Sequence, residues 1–261
     1  HPDKWVPLFK HHKIGVTTSF NYGETRRITR KENFTEKIFL KIWTKFKEDV
    51  GYGLDFISVI TEENVDKAID NVRLAKHLGV ECKLNYAMAS GEESVPYPVG
   101  KMYEIYAQIY KEGLGPWEFN TRQMSVRLKG HGTMCPQNRE CDEGIRSLQP
   151  DKDGENYYSC GAFGDDGEYP ISFEAEMKGE KFLPLQNQPE NQFLKMECLT
   201  CKAYEICNGC YKTIRDLKKT DMVEESCRAM KRAIGTIEKC DIVNPAPEIK
   251  ERGFQNNCDD Y

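Results

Sequence analysis

The chain has 261 residues, enough for one large domain or two modest ones with a buried core. Its 37 basic and 42 acidic side chains leave a net charge of -5 with a pI near 5.7, which excludes the electrostatic footprint of a protein that binds nucleic acid or an anionic membrane surface. Mean hydropathy is -0.68 and the longest apolar runs, such as Phe56 to Ile60, fall far short of a bilayer span, so a soluble chain is expected.

The sequence opens on His1-Pro2-Asp3 with no initiator Met, charged n-region or apolar h-region, and the expectation is that a tag or a longer N-terminal part precedes it. Residues 1–115 alternate strand-like apolar runs with amphipathic helical segments, the pattern of repeated β-α units. The first strand is expected at Ile14 to Ser19. A helix follows over Thr35 to Asp49, where Ile38, Phe39, Ile42, Trp43 and Phe46 keep helical spacing. The second strand is Leu54 to Ile60. Its helix starts at Thr61 and stops at Gly79, with Val65, Ala68, Ile69, Val72, Ala75 and Leu78 as its buried stripe. A third strand is expected at Val80 to Ala87 and a third helix from Gly100 to Tyr110. Consecutive units of this kind predict an α/β fold with a parallel sheet, too few to close an eight-fold barrel.

After Trp117 the pattern changes. Residues 116–134 read as a linker and 135–240 as a region of short Gly-, Asp- and Cys-punctuated segments, with helical character at Tyr211 to Lys218 and Met222 to Lys239. Residues 241–261, with Pro245, Pro247, Asn256 and Asn257, read as a C-terminal tail.

Cysteine is the loudest signal. There are 11, and five of them (Cys198, Cys201, Cys207, Cys210 and Cys227) lie within a 30-residue stretch. An odd total, no secretory signal and paired C-x2-C spacings argue for metal thiolates in a reducing cytoplasm rather than for disulfides. The full spacing is Cys135-x5-Cys141-x18-Cys160-x37-Cys198-x2-Cys201-x5-Cys207-x2-Cys210-x16-Cys227. Eight thiolates make two sets of four, the number required by two 4Fe-4S clusters or by two tetrahedral zinc ions. Spacing alone does not partition the two sets. Cys82 sits on an apolar strand and reads as a small buried hydrophobe, while Cys240 and Cys258 read as surface thiols.

The run Cys198-x2-Cys201-x5-Cys207-Asn-Gly-Cys210 with a later Cys227, preceded by Asp153-Gly154 shortly before Cys160, resembles the SPASM domain, the C-terminal extension of many radical S-adenosylmethionine (SAM) enzymes. The resemblance covers about residues 134–232. The gap from Cys207 to Cys210 is one residue shorter than the family's usual form, and that from Gly154 to Cys160 about one longer. The resemblance implies two auxiliary 4Fe-4S clusters with interleaved ligands: Cys135, Cys141, Cys160 and Cys210 for the first, and Cys198, Cys201, Cys207 and Cys227 for the second. It implies that residues 1–115 are the later strands of a radical SAM partial barrel. The family's C-x3-C-x2-C motif, whose thiolates hold the third 4Fe-4S cluster that cleaves SAM, does not occur in these residues, so the expectation is the C-terminal portion of a longer maturase, inactive by itself.

By the same resemblance, strand ends would face SAM: Ser19, followed by Arg27 and Arg30 in a segment similar to the one where a Ser and an Arg hold the methionyl carboxylate, and Ser58 and Thr61 near the end of the second strand. Asn85 is a weaker candidate. Asp165 and Asp166 are loose candidates for a catalytic base. In anaerobic sulfatase maturases an Asp directly follows the cysteine matching Cys160; here Gly161 stands there, which counts against formylglycine formation. The implied activity is oxidative modification, such as a cross-link, of a ribosomally made precursor peptide by 5′-deoxyadenosyl-radical hydrogen abstraction, with flavodoxin or ferredoxin as reductant. Rival readings are a sulfatase-type maturase and a non-catalytic iron-sulfur or zinc scaffold that binds a partner.

Overall fold

A computed structural model of the chain describes residues 2–23, 28–29, 32–86, 99–130, 149–151, 153–158, 163–164, 166–179, 200–203, 218 and 220–250. The chain is mixed α/β and divides into two compact units: His1–Ala87, Pro96–Gly132 and Arg232–Tyr261 form one, Met88–Val95 and Thr133–Lys231 the other.

The first unit begins with helix α1 (Pro2–His12), where a strand was the first element expected. Strand β1 (Thr17–Ser19) follows, then a short antiparallel pair, β2 (Ile28–Thr29) and β3 (Glu32–Asn33). Helix α2 (Glu36–Val50), strand β4 (Asp55–Ile60), a 3-10 turn at Val65–Lys67, helix α3 (Ala68–Leu78), strand β5 (Cys82–Tyr86) and helix α4 (Val99–Lys111) come next. The strands β1, β4 and β5 form a parallel sheet in that order, with Ser19 opposite Ile57 and Val59 opposite Asn85. This is the arrangement the alternating β-α pattern predicts.

Side-chain alternation splits the sheet into two unlike faces. Phe56, Ser58 and Ile60 of β4 and Cys82 and Leu84 of β5 are buried, while Ile57, Val59, Lys83 and Asn85 are only half-buried. On the buried side three aromatic rings interlock: Phe20 stacks on Phe39 at 4.5 Å, and Phe56 meets Phe39 edge-on at 5.4 Å. Burying rings of this size is the main drive for the unit, about 2 kcal/mol or more each. Two glycines are set by geometry. Gly79 ends α3 with φ 69, a left-handed cap that only glycine adopts without strain. At Gly53 a Cβ would lie 2.7 Å from the Trp43 ring and 2.8 Å from Val80, so the turn into β4 passes too close for any side chain.

Two segments differ from expectation. Part of the stretch read as a linker is a 3-10 turn at Gly115–Trp117 and then helix α5 (Phe119–Leu128), in which Asn120, Thr121, Arg122, Gln123, Ser125 and Arg127 are all buried. The first part of the expected tail is packed: Ala246 and Ile249 are buried, the Ala246 N–H donates to the Pro116 carbonyl at 3.2 Å, and the Ser125 hydroxyl both donates to the Asp241 carbonyl and accepts from the Val243 N–H. Prolines that look like tail punctuation place a short helix, Pro247–Lys250.

The second unit contains an antiparallel sheet of β6 (Gln149–Pro150), β7 (Asn156–Tyr158) and β8 (Ile171–Ser172), followed by helix α6 (Phe173–Met177). The β6–β7 turn is fastened by one carboxylate: Asp151 accepts from the Glu155 N–H at 3.0 Å and from the Asn156 amide at 2.8 Å, while Gly154 takes φ 72. These hydrogen bonds hold the Asp151 carboxyl below the usual aspartate range. Helix α7 (Val223–Ile237) begins in this unit and ends in the first. Among the described residues no helix is long and apolar enough to cross a membrane.

Candidate functional site

The carboxyl ends of β1 and β4 bring together the strand-end residues singled out by sequence, but in different roles. Ser19 ends β1 on the half-buried face, opposite Ile57. Ser58 has the opposite parity. It is fully buried between Phe56 and Ile60, and its hydroxyl donates to the Phe20 carbonyl at 2.8 Å and lies 3.7 Å from the Cys82 sulfur. In this arrangement the Ser58 hydroxyl ties the end of β1 to β4 on the buried side of the sheet. Thr61 is also buried, and its N–H donates to Asn64 Oδ1 at 2.9 Å.

Asparagines close this edge. The Asn21 and Asn64 side-chain amides both donate to the Val59 carbonyl, at 3.0 and 3.1 Å, and Asn71 Oδ1 accepts from the Tyr22 N–H. The strand ends are thus braced by side chains that can bond backbone at a turn. Sequence reasoning missed them because they carry no spacing signature. Arg27 and Arg30 lie outside the described residues, as does Asp165. Asp166 is exposed, in a turn closed by Gly167 N–H to the Gly164 carbonyl and Glu168 N–H to the Phe163 carbonyl. Asn85 is half-buried on the Ser19 face.

The opposite end of that same face holds a cavity of about 430 Å³ that sequence reasoning did not find. Its polar walls come from Asp55, Glu81 and Lys83. The signal was present in the alternation Glu81-Cys82-Lys83-Leu84-Asn85, polar at every second position of an expected strand. Asp55 Oδ1 accepts from the Glu81 N–H at 2.7 Å. The Glu81 carboxylate pairs with the buried Arg122 guanidinium of α5. Glu118, fully buried at the start of α5, accepts from the N–H groups of Leu84 and Thr121 at 3.0 and 2.6 Å. Burial nevertheless raises its carboxyl above the usual glutamate range, overriding those hydrogen bonds. Cys82 lies fully buried near Glu118, and desolvation pushes its thiol well above the ordinary value. This agrees with its reading as a small buried hydrophobe.

Of the eight cysteines in the metal pattern, Cys201 and Cys227 are described; both are half-buried in the second unit. Cys227 sits in the first turns of α7 beside the buried Ser226, and Cys201 follows the turn residue Thr200. Cys135, Cys141, Cys160, Cys198, Cys207 and Cys210 lie outside the described residues, as does Cys258. Among the described residues no three His, Cys, Asp or Glu side chains come together as metal ligands. Cys240 is half-buried in the first unit, its thiol directed at the Thr236 carbonyl at 3.5 Å. No family model matches this chain, and neither the curated proteins nor the solved structures compared with it give a match.

Proposed function

We propose that this chain carries the later barrel strands and the auxiliary-cluster domain of a radical SAM/SPASM maturase that modifies a ribosomally made precursor peptide in the cytoplasm. The observation that carries the proposal is the eight-cysteine spacing from Cys135 to Cys227, with its paired C-x2-C elements. A parallel β1–β4–β5 sheet in the adjoining unit accords with the β-α units that a partial barrel requires.

In this reading Cys135, Cys141, Cys160 and Cys210 hold one auxiliary 4Fe-4S cluster and Cys198, Cys201, Cys207 and Cys227 the other. The partly accessible thiols of Cys201 and Cys227 suit ligation better than a sealed core position would. When bound, the clusters supply one-electron oxidation of a substrate radical, with a flavodoxin or ferredoxin as partner. Four thiolates per cluster leave no iron open, which favours electron transfer over direct ligation of substrate. In this reading Ser19, at a strand end on the half-buried face, would contact SAM, and Arg27 or Arg30 would fork its carboxylate. The C-x3-C-x2-C triad that cleaves SAM is not among these 261 residues, so the present chain supplies cofactor contacts and auxiliary clusters.

Replacing Cys207 by Ala tests the ligand partition. Iron in the anaerobically reconstituted chain should fall by half, with the remaining cluster spectroscopically intact. Unchanged iron, or loss of both clusters while the chain stays folded, would refute the partition. If the metal bound is zinc, the binding-scaffold reading takes its place.

A further inference from the structure

We propose that Lys83, in the cavity at the amino-terminal half of the parallel sheet, is a nucleophilic amine that forms an imine with a small aromatic aldehyde. This site draws on the first unit alone and stands independently of the cysteine-bound clusters.

The cavity of about 430 Å³ is of the size that small ligands occupy. Its walls set the amine among apolar groups. Ile57, Phe119 and Ile249 line it, the first from β4, the second from the first turn of α5, the third from the helix at 247–250. Lys83 reaches it from β5, paired directly with Ile57 across the strands, and its amine lies 5.1 Å from the Phe119 ring centroid. The ring face attracts a cation but offers no hydrogen-bond acceptor to fix one.

A lysine attacks a carbonyl only through its neutral amine. An ordinary lysine, with a pKa of about 10.4, is neutral in only about one copy in 2,500 at about pH 7. Burial holds the Lys83 amine below that range even though the Glu118 charge opposes the shift. An ion pair would reverse the effect, as at Lys45, whose hydrogen bond to Asp49 holds its amine above the ordinary range. Among the described residues no carboxylate makes an ion pair with Lys83, because the acids around it serve other donors. Glu81 pairs with Arg122, Glu118 accepts from the Leu84 and Thr121 N–H groups, and Asp55 accepts from the Glu81 N–H. The guanidinium of Arg122 lies 5.7 Å from the same Phe119 ring.

The chemistry balances without an oxidant or reductant. The amine lone pair attacks the carbonyl carbon to make the C–N bond, and the two amine hydrogens leave with the carbonyl oxygen as water. The walls select the carbonyl compound. A neutral ligand adds no charge to a wall that already holds Asp55, Glu81 and Lys83, and a flat ring can lie against Phe119 between Ile57 and Ile249.

The test is to incubate the whole chain with benzaldehyde and cyanoborohydride, which reduces any imine to a stable secondary amine, and to map the labelled lysines by peptide mass. Residue 83 should be labelled about tenfold or more faster than the exposed Lys45 and Lys178, since each unit of pKa is worth tenfold in neutral amine. Its rate should saturate with benzaldehyde, fall when benzyl alcohol competes for the cavity, and reach its plateau at lower pH than that of Lys45. Phe119→Leu, which keeps the amine and removes the ring, should weaken the saturation by several-fold. Labelling at residue 83 no faster than at the exposed lysines, a rate linear in benzaldehyde, or no protection by benzyl alcohol would each overturn the proposal. All three are read on the parent chain, so they hold whether or not the variant folds.

Discussion

In the first unit the described side chains that hold the fold are rings and aliphatics meeting across a sheet: Phe20, Phe39 and Phe56 in mutual contact, Trp43 donating from its indole to the Leu54 carbonyl, and Leu84 fully buried. In the second unit the described apolar contacts are smaller in scale, Tyr157 against Phe173 at 4.7 Å and Phe163 against Tyr169 at 5.4 Å, and its most distinctive sequence feature is thiolate spacing. The difference teaches that two regions of one chain can be stabilised by unlike physics. Where apolar area suffices, burial specifies the fold. On the reading proposed above, eight thiolates in the second unit would bind metal, and binding energy there would be folding energy.

The comparison breaks most visibly on metal removal. Structural metal sites contribute on the order of 10 kcal/mol, far above any single packing contact here. Chelation of the reconstituted chain should therefore expose residues 133–231 to protease while 32–86 stays resistant. Equal resistance of both regions with and without metal would show that the second unit does not depend on its thiolates.

Next in size is Phe56→Ala, which removes one of three rings in mutual contact and should cost about 4 kcal/mol in denaturant unfolding of the first unit. A loss under about 1 kcal/mol would mean the cluster is not the unit's core. Arg122→Ala should cost about 3 kcal/mol, because it leaves Glu81 without its buried partner.

The smallest effect reads out with pH. Glu118 has a folded-state pKa raised by burial, so its contribution to stability is full below the unfolded value of about 4.3 and is lost as pH rises through the folded value. The stability advantage of the parent over Glu118→Gln should therefore shrink as pH climbs above that point. An advantage that grows with pH would mean that the hydrogen bonds from Leu84 and Thr121 outweigh desolvation.

Much of the first unit was legible because its elements obey simple periods. Helix α2 buries Phe39 and Trp43 at helical spacing and ends before a glycine, and α3 does the same with Val72 and Ala75 before Gly79. Helix α5 escaped because its buried residues include Asn120, Thr121 and Arg122, which look like solvent positions until the Leu84 carbonyl, Glu118 and Glu81 are seen to engage them in turn. The burial of Ser58 follows from a parity count: a residue two away from both Phe56 and Ile60 shares their buried face. The packed stretch at 241–250 was hidden by prolines that resemble a tail, although Ala246 and Ile249 are apolar anchors. Thiolate spacing names a donor set, and the metal that fills it is a matter of chemistry rather than of sequence.

The most direct measurement is the iron, sulfide and zinc content of the chain purified and reconstituted without oxygen, together with its visible absorption. The account predicts about eight iron and eight sulfide per chain with the broad absorption of 4Fe-4S clusters. Two zinc ions and no sulfide would contradict it and make the cysteine sites structural tetrathiolate centres.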